Sequence, residues 1–199
     1  MLLAGISEFY LLASLAYAAP LVPKQSQRII QFGYLGALSL TAMAALCGAI
    51  RYLELGDSLA WHQELSFYSK HLGMPVFVVL ALWGNLPSVS RRLGAITLLL
   101  MSALSCLANL YYQLSMASDA IIVMALVFAA YSLKNNRRAL KHIVMALALL
   151  LSTLLWSAII TDTSLRIAVF HVCLGSYFVL TARSFNKGNH ALNVQVQTV

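Results

Sequence analysis

Apolar blocks close to 20 residues long alternate with short polar connections along most of the chain. Helices of that length cross a bilayer core of about 30 Å. The blocks fall at 2–22, 29–50, 71–86, 93–112, 117–133, 143–160 and 165–182, with Pro20 and Pro23 closing the first. The pattern predicts an all-α, polytopic bundle of seven transmembrane helices over residues 1–185. The polar tail at 186–199 reads as disordered and cytoplasmic. Connections are short throughout, so no water-soluble domain is expected between the spans.

Composition agrees with this pattern. Of 199 residues, 61% are hydrophobic and only 10% charged, and the mean hydropathy is +0.81. A water-soluble domain carries about 25% charged residues, so this chain has too few to cover a surface in water. Integral insertion in a bacterial inner (plasma) membrane is the expected location, with the lipid bilayer as the first partner.

Charge sets the expected orientation. Lys24 and Arg28, Arg91 and Arg92, Lys134, Arg137, Arg138 and Lys141, and finally Arg183 and Lys187 all lie on alternate connections. Arg51, Lys70 and Arg166 lie on the other side, with the six acids Glu8, Glu54, Asp57, Glu64, Asp119 and Asp162 on or near it. Ten of the 13 basic residues therefore share one face. The positive-inside rule places that face in the cytoplasm and the N-terminus outside. The net charge of +7 is explained by these loop anchors and predicts no nucleic-acid partner. Ala16-Tyr17-Ala18 resembles a signal-peptidase site, but no Lys or Arg precedes the first block and Glu8 interrupts it. A retained first helix is expected.

Two rows of mainly small residues mark the second span. They are Gly33, Ala37, Thr41, Ala45 and Ala49, and beside them Gly36, Leu40, Ala44 and Gly48. Small residues every four positions let a neighbouring backbone approach closely, so this span is expected at the centre of the bundle. Asp162 and Arg166 are spaced to pair at i, i+4. Gly73-x-Pro75 predicts a bend at the start of the third span. Cys47, Cys106 and Cys173 lie inside apolar blocks without C-x-x-C spacing and read as small buried hydrophobes.

The stretch AWHQELSFYSKHLGMP at 60–75 crowds two histidines, a carboxylate and a lysine together. His62 and His71 are nine residues apart, near opposite faces of a helix turning about 100° per residue. Asp57, Glu64 and His71 share a stripe, but seven residues rise about 10 Å, too far to chelate one ion. Trp61, Phe67 and Tyr68 give the stretch the character of a wet, aromatic outer cap.

His171 is different, because it falls inside the seventh apolar block. Ionisable groups at membrane depth are costly and usually face a bundle interior or a water-filled cavity. Glu8 lies at comparable depth in the first span and Asn109 in the outer third of the fourth. With His71, Asp57 and Ser157 they form the expected lining of an outward-facing polar pocket for a small-molecule or lipid ligand. His71 and His171 are the candidate metal ligands, with zinc the candidate ion.

Seven spans, an outer N-terminus and the isolated histidines His71 and His171 resemble the architecture of the CREST superfamily, which includes alkaline ceramidases and progestin/adiponectin-type receptors. The resemblance implies a membrane-embedded, zinc-dependent lipid or amide hydrolase. The last span of that superfamily carries H-x-x-x-H, whereas here Gly175 stands four residues after His171. A non-catalytic accessory subunit of a membrane complex is the remaining class. No P-loop, G-x-G-x-x-G or G-x-S-x-G is present, the seventh span has no lysine for a retinal Schiff base, and no inverted repeat points to a transporter.

Overall fold

The structure, a computed structural model, describes residues 1–21, 28–83, 96, 100, 103–104, 106–107, 110 and 116–196. The described residues are helical apart from short turns, with no strand among them. The helices are α1 (Leu2–Ala18), α2 (Arg28–Tyr52), α3 (Leu59–Tyr68), α4 (Met74–Trp83), α5 (Met116–Ser132), α6 (Arg137–Ile159) and α7 (Thr163–Val196). Four stretches are long and apolar enough to cross a membrane: Leu2–Leu21, Ile30–Tyr52, Arg137–Ile159 and Thr163–Ser184. Asp119–Tyr131 is a shorter apolar helix. Much of the expected fourth span, 93–112, lies outside the described residues. The helix of α7 continues to Val196, into the polar segment read as a tail.

Helix ends follow local chemistry. The α1 helix gives way to a 3₁₀ turn at Ala19–Leu21 where Pro20 enters; the Ala18 carbonyl accepts a hydrogen bond from the Tyr34 hydroxyl at 3.0 Å. At the end of α2, Leu55 N–H donates to the Ile50 carbonyl and Glu54 N–H to that of Arg51, the paired bonds of a Schellman closure. Glu54 takes the left-handed position, with φ of 58°, where glycine is the usual choice. Asn136 caps α6 by accepting a bond from Ala139 N–H at 3.1 Å, so this helix starts six residues before the expected apolar block.

The third span departs most from expectation. No helix start falls at His71. Instead, α3 runs into a π-helical turn at Ser69–Gly73 and directly on into α4. Pro75 accounts for this physically, since it has no N–H to offer the carbonyl four residues back and its ring crowds that carbonyl. A widened turn relieves both problems. Residues 60–75 are thus the upper half of one helix, and the stretch is not merely a cap.

Side-chain contacts fix the direction of each helix. Along α1 and α7, Ser7 meets His171, Tyr10 meets Ser176 and Tyr17 meets Arg183, so these helices run parallel. Gly5 faces Leu53 and the Ala18 carbonyl meets Tyr34, making α1 and α2 antiparallel. Ala44 meets His62, Thr41 meets Ser69, and Gly33 meets Leu80, making α2 antiparallel to the α3–α4 helix. The row Ala37, Thr41, Ala45 and Ala49 is buried, and it brings the π turn close: a Cβ added at Gly73 would lie 3.4 Å from the Ala37 carbonyl.

Below that contact, Phe77 stacks with Tyr34, Phe178 and Tyr177 at centroid separations of 5.0, 4.9 and 6.2 Å. Each such pair contributes about 0.5–1.5 kcal/mol beyond area burial. The packing leaves Leu2, Phe9, Phe32, Val127 and Leu155 exposed, as apolar residues facing lipid would be.

Candidate functional site

A cavity of about 410 Å³ opens among the helices, and every helix from α1 to α7 contributes to its lining. The lining residues lie near the start of α1, α3, α5 and α7 and in the later half of α2 and α6. The cavity therefore belongs to one end of the bundle. Its walls are largely apolar, with Leu11, Ala45, Met74, Ile122, Leu150 and Leu174 among them. Its polar side chains come from several helices, among them Glu8 of α1, His62 and Ser66 of α3, Thr153 and Ser157 of α6 and His171 of α7. A second chamber of about 350 Å³ shares His62, Ser66, Thr153, Ser157, Phe170 and His171 with the first and reaches Trp156 and Arg166.

Glu8 is the most deeply buried charged residue described, at 1% exposure. Its Oε1 lies 3.4 Å from Nε2 of His171, and neither carboxyl oxygen has a hydrogen-bond partner among the described residues. The carboxyl fits here because α2 carries Gly48 opposite it. A Cβ at position 48 would collide with Glu8 Oε1 and lie 2.9 Å from Cε1 of His62. The second small-residue row of α2 thus provides the space for this carboxyl.

Hydrogen-bond accounting fixes the faces of the two imidazoles. Ser7 Oγ donates to the Ala4 carbonyl at 2.7 Å and contacts His171 Nδ1 at 2.9 Å. With the serine proton committed to the shorter bond, Nδ1–H of His171 donates to Ser7, and Nε2 is left facing Glu8. Ser7 is not among the residues lining the cavity; its hydroxyl holds the His171 ring from behind. His62 Nδ1–H donates to the Ala44 carbonyl at 3.1 Å, and its Nε2 faces the Tyr52 hydroxyl at 3.4 Å. Its Cε1, like the Glu8 carboxyl, lies against Gly48.

The site residues expected from sequence separate into groups. Glu8 and His171 come together at the cavity floor, and Ser157 lies on its rim. His71 is buried against Phe67, with ring centroids 4.6 Å apart, and does not line the cavity. The π turn carries it. Asp57 is exposed in the α2–α3 turn, where its Oδ1 accepts from Leu59 N–H at 3.4 Å. It too is absent from the lining, because the turn, anchored by Ser58 on the Cys47 carbonyl at 2.8 Å, holds it outside. Asn109 lies outside the described residues. Among the described residues no group of three or more His, Cys, Asp or Glu side chains is arranged to hold a metal ion; both nitrogens of His62 face other partners.

Sequence reading missed His62, Ser66, Ser69, Thr41 and Thr153. A signal was present: His62, Ser66 and Ser69 follow i, i+4, i+7, a polar stripe on one helix face. Lys70 and Asp119, 3.1 Å apart and each about half exposed, close another part of the rim between the π turn and α5. No protein-family model, curated protein or solved structure matches this chain.

Proposed function

We propose that this helical membrane protein binds a small amphiphilic ligand in the cavity, with the ligand's polar head at Glu8 and His171 and its apolar part along α5 and α6. One observation carries the reading: a cavity with mostly apolar walls ends on a fully buried carboxyl that has no hydrogen-bond partner among the described residues. An uncompensated polar group in a dry interior costs free energy, and a bound head group offsets that cost. Ligand sites commonly have this composition, apolar walls with a few placed polar groups. The basic residues of 134–141 and Arg183 lie at the end of the bundle opposite the cavity. With seven spans and the positive-inside rule, this reading has the cavity open to the outside, in an inner-membrane protein.

The test uses Trp156, which lines the second chamber. In a Trp61→Phe/Trp83→Phe background, a terminally brominated octanol added to the protein in detergent should quench its fluorescence saturably. Unbrominated octanol should relieve the quenching by competition. Quenching that rises linearly without saturation, as for a tryptophan exposed only to detergent, would count against a binding cavity.

A further inference from the structure

We infer that the cavity floor is a site for a primary ammonium head group, held by Glu8 and His171 and admitted in exchange for the proton those two residues share. The inference rests on the amphiphile-binding reading above and adds the chemistry of the head.

The floor is short of donors. Among the described residues Glu8 has two oxygens without hydrogen-bond partners, and His171 turns Nε2 toward the same point at 3.4 Å because Nδ1–H is committed to Ser7. One proton carried by the pair, on Glu8 or on His171, keeps it neutral overall. A single proton can serve at most one of the two carboxyl oxygens.

A primary ammonium has three N–H donors and one positive charge. It can donate to both Glu8 oxygens and to Nε2 while the shared proton leaves for solvent. Charge is conserved, with one cation in and one proton out, and no covalent bond other than that to the proton is made or broken. An alcohol brings a single donor and no charge. A quaternary ammonium has the charge but no N–H. A carboxylate would face Glu8 with like charge.

Other titratable and charged groups around the floor do not substitute for the ligand. From α3, His62 has both nitrogens directed to Ala44 and Tyr52. From α2, Tyr52 faces His62, and Arg51 lies over the Tyr52 ring at 5.2 Å. The π turn supplies Lys70, which is paired with Asp119 of α5. From α7, Arg166 reaches only the second chamber. The described lining from α6 has no titratable side chain.

The experiment is calorimetric titration of the purified full chain with octylamine, octanol and octyltrimethylammonium, in buffers of different ionisation enthalpy. Octylamine should bind tightest and release one proton per molecule bound. Its affinity should rise about tenfold per pH unit while the site is protonated, with octanol pH-independent. Glu8→Gln should remove the proton release and the preference for the amine over octanol. Wild-type protein that binds octylamine and octanol equally, with no proton release, overturns the inference and leaves the amphiphile reading standing. Saturable binding of none of the three probes removes both.

Discussion

Glu8 owes its place to a residue without a side chain. The Glu8 carboxyl occupies the volume that a Cβ on Gly48 would need, so the acid on α1 and the glycine on α2 form one unit. Gly48→Ala should keep the fold, since the clashing atoms end a rotatable side chain. We expect a stability loss near the low end of the about 1–3 kcal/mol typical of overpacking, measured by thermal unfolding in detergent. The displaced carboxyl should also lose its approach to His171, abolishing any advantage of an alkylamine over the matching alcohol. An unchanged melting temperature together with an unchanged preference would show that Glu8 does not depend on Gly48. At this scale the sequence was partly legible. His171 and Glu8 stood out as ionisable residues inside apolar blocks, which is a property of composition and depth. Their pairing across helices, and the exclusion of His71 and Asp57, depended on contacts that no local pattern records.

At the scale of elements, α2 and the α3–α4 helix form the seam on which the cavity depends. Thr41 Oγ1 and Ser69 Oγ are 2.7 Å apart across this seam, while Ala45 is buried beside the cavity at 2% exposure. Hydrogen bonds between transmembrane helices contribute on average about 0.6 kcal/mol, less than the overpacking cost of about 1–3 kcal/mol. Ala45→Leu should therefore destabilise the bundle more than Thr41→Val, and it should also shrink the cavity. Equal melting temperatures for the two variants and the wild type would mean that this row faces lipid. The small-residue spacing of α2 was readable because it is strictly local. The π turn was not: Gly73-x-Pro75 signals a disturbed helix, but the local pattern does not say whether the chain bends, stops or widens.

At the scale of the whole molecule, α1 and α7 run parallel and α2 runs against both α1 and the α3–α4 helix, so the cavity gathers at one end and Arg183, Arg137 and Arg138 at the other. If membrane insertion follows charge, reporter fusions after residue 30 and after residue 138 should be active only as cytoplasmic reporters, and a fusion after residue 60 only as an external one. An external signal at 138 would invert the orientation and turn the cavity toward the cytoplasm. The all-α architecture and the helices long and apolar enough to cross a membrane were legible from block length and charge poverty alone. The number of crossings was less so: four long apolar helices and one shorter one stand among the described residues.

The most direct test of the account is to locate a bound amphiphile. A diazirine-bearing alkyl alcohol photolabelled into the purified protein, followed by peptide mass spectrometry, reports which side chains it touches. The cavity account predicts saturable labelling at Leu150, Leu151, Phe170 or Met74, competed away by unlabelled octanol. Labelling confined to lipid-facing positions such as Phe9, Phe32 and Val127, unaffected by competitor, would contradict it.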